Sequence, residues 1–86
     1  MEKKEIKKSE ARILVYLSVV DKHLKYLMKI SSKLDMDYGY LIRIIGGMLS
    51  KGWLYRVEAI SSNKVFYGIT ERGMLKLEKA KKILTR

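Results

Sequence analysis

Apolar positions recur along this chain with helical spacing for most of its length and with strand spacing in one region only. Ile13, Leu14, Leu17 and Val20 form the inner face of a helix that Ser9 can cap and that runs to about Val20, while Val15, Tyr16 and Val19 fall on its other sides. A helix apolar nearly all round is covered on more than one side, and the second cover can be another subunit. Asp21-Lys22-His23 reads as a connector. Leu27, Ile30 and Leu34 then fall three and four apart, one face of a short helix, until Asp35-Met36-Asp37 breaks the pattern. Asp37 is placed to cap a further helix, because its carboxylate can accept from the free N–H groups of the next turn. Leu41, Ile44, Ile45, Met48 and Leu49 give that helix, over 38–51, its buried face, and Lys51-Gly52 stops it.

After Gly52 the period changes. Trp53 to Ile60 is rich in β-branched and aromatic residues, Ser61-Ser62-Asn63 has turn chemistry, and Lys64 to Ile69 reads as the returning strand of a hairpin over 53–69. Thr70 can cap a last helix from about Glu71 to Thr85, with Glu71 at its start and Lys81, Lys82 and Arg86 at its end to suit the helix dipole. Leu77, Ala80 and Leu84, with Met74 nearby, make one apolar stripe; Leu75 and Ile83 lie off it. One side of this helix can pack on the domain and the other on a partner. Met1 to Lys8, with Lys3, Lys4, Lys7 and Lys8, is either a frayed charged arm or an extension of the first helix. The expectation is one mostly helical α+β domain over residues 1–86, with an arm at 1–8 and a C-terminal helix at 71–86 as a candidate dimerisation element.

Two short helices joined by a three-residue turn make a helix-turn-helix, a pattern whose second helix enters the major groove in DNA-binding proteins. At helical spacing Gly39, Arg43, Gly46, Gly47 and Ser50 point away from the Leu41/Ile45/Met48 face, flanked by Tyr40 and Ile42. This outer stripe has one cation, no acid and several very small residues. Each interior glycine costs a helix roughly 1 kcal/mol relative to Ala, so the pair at 46 and 47 points to something approaching the backbone. A phosphate strand, a local bend and a packed protein element all fit that description.

Charge narrows the choice. Nineteen Lys/Arg against nine Asp/Glu give +10, an electrostatic match for a polyanion, and nucleic acid fits better than a membrane surface. No stretch reaches the eighteen or so apolar residues of a spanning helix, and the charged opening residues do not resemble a signal peptide. The lack of cysteine removes disulfides and thiolate zinc sites, fits a cytoplasmic, nucleoid-associated protein, and leaves oligomerisation as the remaining source of buried area. Glutamine and proline are absent and asparagine occurs once, which leans toward a thermophile.

The order helix, helix, turn, helix, hairpin, helix resembles that of winged helix-turn-helix transcriptional regulators of the MarR and PadR types, especially small archaeal and archaeal-virus ones. Ser9-Glu10-Ala11-Arg12-Ile13-Leu14 is similar to their first-helix opening. Tyr38 through Leu54, with Arg43 and Lys51-Gly52-Trp53-Leu54, is similar to their recognition helix and its exit. Tyr67-Gly68-Ile69-Thr70-Glu71-Arg72-Gly73 is similar to their passage from wing to last helix. The resemblance implies a homodimer with one recognition helix per subunit in successive major grooves of duplex DNA. By position it implies base and phosphate contact by Tyr38, Gly39, Tyr40 and Arg43, and wing contact by Arg56, Asn63 and Lys64. Asp35 departs from the usual turn glycine, and Gly46 and Gly47 replace long charged residues.

Three functions compete: a DNA-binding transcriptional regulator, a protein-interaction winged-helix module, and an architectural protein that coats DNA without sequence choice. An enzyme is not expected. The chain has one histidine, no cysteine, no paired carboxylates on an apolar face and no phosphate-cradling loop, so no cofactor or metal is expected either. A cleft between the helices of a dimer could hold a small apolar effector, although no residue pattern indicates one.

Overall fold

The computed structural model describes residues 6–59 and 64–85. In chain order they form α1 (Lys8–Val19), a single 3-10 turn at Lys22–Leu24, α2 (Leu27–Leu34), α3 (Tyr38–Ser50), β1 (Leu54–Glu58), β2 (Val65–Ile69) and α4 (Glu71–Thr85). Lys3 and Lys4 of the expected arm, the hairpin turn Ser61-Ser62-Asn63, and Arg86 lie outside the described residues.

The first helix begins earlier than its sequence suggests, with Lys7 rather than Ser9 at the cap position. The reason is Glu10, whose carboxylate accepts from the Lys7 backbone N–H at 2.9 Å. That is the backward half of a capping box, and lysine has no side-chain acceptor to supply the other half. Ile6 is buried in the core, so an arm can only begin before it. Ala11, Ile13, Leu14 and Leu17 are buried as the period requires. Tyr16, expected on another side, is buried too. Its hydroxyl donates to the Leu24 carbonyl at 2.8 Å and so pins the 3-10 turn to α1. Burial, with Tyr26 nearby adding to it, pushes the Tyr16 phenol above its ordinary pKa and keeps it a neutral donor.

The segment between α2 and α3 turns as its residues allow. Asp35 sits in the left-handed region at φ 55°, which aspartate tolerates better than most residues. The Met36 N–H donates to the Ser31 carbonyl at 3.0 Å, and the Met36 side chain is buried, so this break in the helical period also contributes to the core. Asp37 caps α3, its carboxylate accepting from the Tyr40 N–H at 3.0 Å. Leu41, Ile45 and Met48 are buried beneath α3. Gly52, at φ 79°, ends the helix while the Trp53 N–H reaches back to the Met48 carbonyl at 3.0 Å.

The hairpin is antiparallel, in a register that pairs Leu54 with Ile69, Arg56 with Tyr67 and Glu58 with Val65. Side chains alternate across a sheet, so these residues share one face, on which Leu54 and Tyr67 are buried. Tyr55, Val57, Phe66 and Gly68 share the other. The strands are shorter than the expected 53–60 and 64–69, because Trp53 is drawn into the core ahead of β1. Tyr26 bridges Phe66 on the far side of β2, and their rings meet edge to face at 5.8 Å.

Thr70 caps α4 as its position suggests, accepting from the Gly73 N–H at 3.0 Å and donating to the Gly52 carbonyl. Gly73 is required by a close approach: a Cβ there would lie 2.1 Å from the Trp53 carbonyl oxygen. Leu77 and Ala80 are buried where α4 packs along α1. Met74, expected beside that stripe, is half exposed, and Leu75 is 81% exposed.

Candidate nucleic-acid interface

Four contacts hold α2 and α3 in place from behind. Lys51, just past the end of α3, pairs with the buried Glu10 of α1 at 2.7 Å. The Lys51 ammonium also stands 4.4 Å above the Trp53 ring. Arg12, also from α1, donates to the Leu34 carbonyl at the end of α2, and Arg72 of α4 donates to the Lys51 carbonyl at 3.3 Å. Cations at helix C-termini are favourable because the carbonyls there carry partial negative charge. Glu10 and Arg12 therefore fix the angle between the two helices that the turn joins. A sequence reading finds them only as part of a family-like opening, because their partners are distant in the chain.

The front of α3 is open. Gly39, Arg43, Gly46 and Ser50 are exposed, Gly47 is half-buried, and Tyr38, Tyr40 and Ile42 are each between 41% and 45% exposed. A Cβ at Gly46 or at Gly47 would meet nothing within 4 Å, and at Gly39 it would make an ordinary 3.4 Å contact with the Asp37 carboxylate. Of the explanations the sequence left open, packing by another described element of this chain is therefore excluded. Arg43 has no ion-pair partner among the described residues. Gly39, Tyr40 and Arg43 thus lie on the open side of α3, and Tyr38 is exposed at its first residue.

The hairpin contributes less charge. Arg56 pairs with Glu58 of its own strand at 3.2 Å, both of them exposed. Lys64 is exposed, with its ammonium 4.9 Å above the Tyr26 ring. Asn63 lies outside the described residues. Among the described residues no group of His, Cys, Asp or Glu could hold a metal ion, and no helix is long and apolar enough to cross a membrane.

No protein-family model matches the chain, and no curated protein does. Solved structures do. The transcriptional repressor CouR bound to a 23-mer DNA duplex superposes with a TM-score of 0.77 at 17% identity, over 90% of this chain and 54% of that one. The S. aureus MepR–DNA complex gives 0.80 at 17% identity, over 90% and 57%. A cysteine-to-serine mutant of Lactococcus lactis ZitR gives 0.79 at 13% identity, over 95% and 55%. The fold is a winged helix-turn-helix. In its terms α2 and α3 are the helix-turn-helix, α3 occupies the recognition position, and β1 and β2 form the wing. The chain spans a little over half the length of these three proteins, and at such identities the likeness is one of fold.

Proposed function

We propose that this chain is a DNA-binding transcriptional regulator that acts by occupancy and carries out no chemistry of its own. The observation behind this reading is the outer face of α3, where an arginine without an ion-pair partner among the described residues and two tyrosines flank a helix backbone that nothing in the described chain covers. Phosphate contacts position such a protein, and base-edge contacts give it sequence preference. Arg43 is the base reader, because its fork matches the two acceptors of guanine. Tyr38 and Tyr40 donate to phosphate or touch thymine methyls, and Gly39 lets the duplex close on the helix. Arg56, Asn63 and Lys64 meet the backbone beside the wing. The CouR and MepR structures that share this fold were solved with DNA.

The active species is a homodimer, acting on the nucleoid in the cytoplasm. Residues 1–86 form one domain, with α4 as its dimerisation element. Leu77 belongs to the protomer's own core, so the face offered to a second copy is the one carrying Met74 and Leu75. A single cation on the outer stripe also fits sequence-tolerant coating of DNA, and competition separates the two modes. The test is anisotropy of a labelled duplex from a random-pool selection, titrated with protein over a range of salt and challenged with random duplex. Binding that weakens with salt and resists the random competitor supports the regulator. Binding that random duplex displaces equally supports coating, and no binding at low salt defeats both. Sedimentation should give about twice 10.1 kDa.

A further inference from the structure

One flank of α4 carries a row of cations that the proposed DNA face does not use. Arg72, Lys76 and Lys79 follow one another at intervals of four and three, so they share one side of the helix. Glu71 and Glu78 fall on another side, with Met74, and Glu78 pairs with Lys81 at 3.9 Å. Among the described residues Arg72, Lys76 and Lys79 have no acid as an ion-pair partner. Like charges one turn apart are unfavourable to the free chain, and a polyanion laid along them relieves the repulsion. The row is anchored where α4 meets the end of α3. Arg72 donates to the Lys51 carbonyl at 3.3 Å, and its guanidinium keeps further donors for a ligand. The Lys76 ammonium stands 5.7 Å from the Trp53 ring, which Lys51 approaches at 4.4 Å. Glu10 answers the charge of Lys51 but not of the row. Arg72 and Lys79 are exposed, and Lys76 is half-buried. Eight residues, about 12 Å of helix, separate Lys51 from Arg43, and the Lys51 side chain turns back to α1, which sets the row apart from the open face of α3.

We propose that this row is a second nucleic-acid contact, a grip on the phosphate backbone of a duplex segment other than the one at α3, so that one protomer holds two stretches of DNA. The bridging rests on the reading of α3 given above; the grip itself does not. The row covers about 10 Å of helix, and duplex DNA offers one negative charge per ~1.7 Å of its axis, so each cation can meet a phosphate. Such contacts carry no sequence information, so the second segment can have any sequence. An acidic protein is the other polyanion to consider. A protein contact is centred on an apolar anchor, whereas the ring beside this row is only 4% exposed, and the exposed Leu75 belongs to the face proposed for a second copy.

The test places the full chain on beads that carry the selected duplex and adds a labelled random duplex as the second segment. Protein on the beads should retain the random duplex. Lys76→Glu with Lys79→Glu should lower that retention by about tenfold or more while the beads hold as much protein as before. Lys76→Arg with Lys79→Arg keeps the charge and should keep the retention. In solution the fluorescence of Trp53, the chain's single tryptophan, should change with random duplex in the unaltered chain and in Arg43→Ala, but not in the glutamate variant. This arm tests the row by itself; protein that never binds the beads defeats the α3 reading alone. Retention unchanged in the glutamate variant would overturn the proposal, because the second segment would then sit on the α3 of another copy. Equal loss of both duplexes would reduce it to a general charge effect. A fluorescence change that follows Arg43 rather than the row, or one that oligoglutamate produces as well as duplex does, would also overturn it.

Discussion

Replacing Gly46 and Gly47 together by alanine separates what α3 does for the fold from what it does for a partner. Both glycines lie inside the helix, and beyond the helix's own backbone neither added Cβ would meet an atom within 4 Å. The folded chain can therefore accept two methyl groups without strain. Each replacement removes roughly 1 kcal/mol of helix penalty, so the pair should stabilise the protein by about 2 kcal/mol. For a domain of this size each kcal/mol moves the melting temperature by about 4–8 °C, so the variant should melt about 8–16 °C higher. DNA affinity should move the other way. If a phosphate strand approaches the bare backbone, two methyl groups hold it off, and a loss of about 1.4 kcal/mol reads as tenfold weaker binding. The assays are a thermal melt by circular dichroism at fixed protein concentration and anisotropy on the selected duplex. A melting temperature that stays level or falls would show that the glycines serve a subunit contact or a bend. A higher melting temperature with unchanged DNA affinity would show that nothing approaches this part of the helix, and the groove-docking geometry would be wrong.

The same substitution at Gly73 should have the opposite sign, because its Cβ would collide with the Trp53 carbonyl; overpacking of about 1–3 kcal/mol should lower the melting temperature without altering the open face of α3. Lys51→Met strands the buried Glu10 carboxylate and should cost about 1–3 kcal/mol in a denaturant titration; an unchanged midpoint would mean that the pair does not hold α3. Arg43→Ala should cost about 1–3 kcal/mol on the selected duplex and leave random duplex nearly unchanged, whereas equal losses on both would make Arg43 a phosphate clamp. Leu75→Glu, at a side chain 81% exposed in the protomer, should leave the melt of a dilute sample unchanged and shift sedimentation toward 10.1 kDa; a dimer that survives it does not use this face of α4.

The helices can be read from the chain because their signals are local. Asp37 caps the turn that follows it, Gly52 takes the left-handed geometry at a helix end, and Thr70 binds the N–H three positions on. The first helix starts before the position its sequence suggests because Glu10 supplies its cap from inside, a contact that Ser9 conceals. Tyr16 shows a different limit. Its position on the helical wheel puts it on the flank, and only the Leu24 carbonyl, met once the chain has turned, gives its hydroxyl a reason to be buried. The contacts that orient α3 are less legible still, since Glu10 and Lys51 are separated by 41 positions.

Glycines mark the boundary most clearly. In the sequence Gly46, Gly47 and Gly73 all look like residues that weaken a helix. In the fold Gly73 is where α4 meets the backbone of Trp53, and any side chain would push the two apart. Gly46 and Gly47 face empty space, so nothing inside the described protomer accounts for them. A helix that forgoes roughly 2 kcal/mol without an internal packing contact either bends there or meets something outside the described protomer. On the function proposed above that body is a DNA groove, because the open side of α3 carries Arg43 with Tyr40 beside it, groups that suit phosphates and base edges.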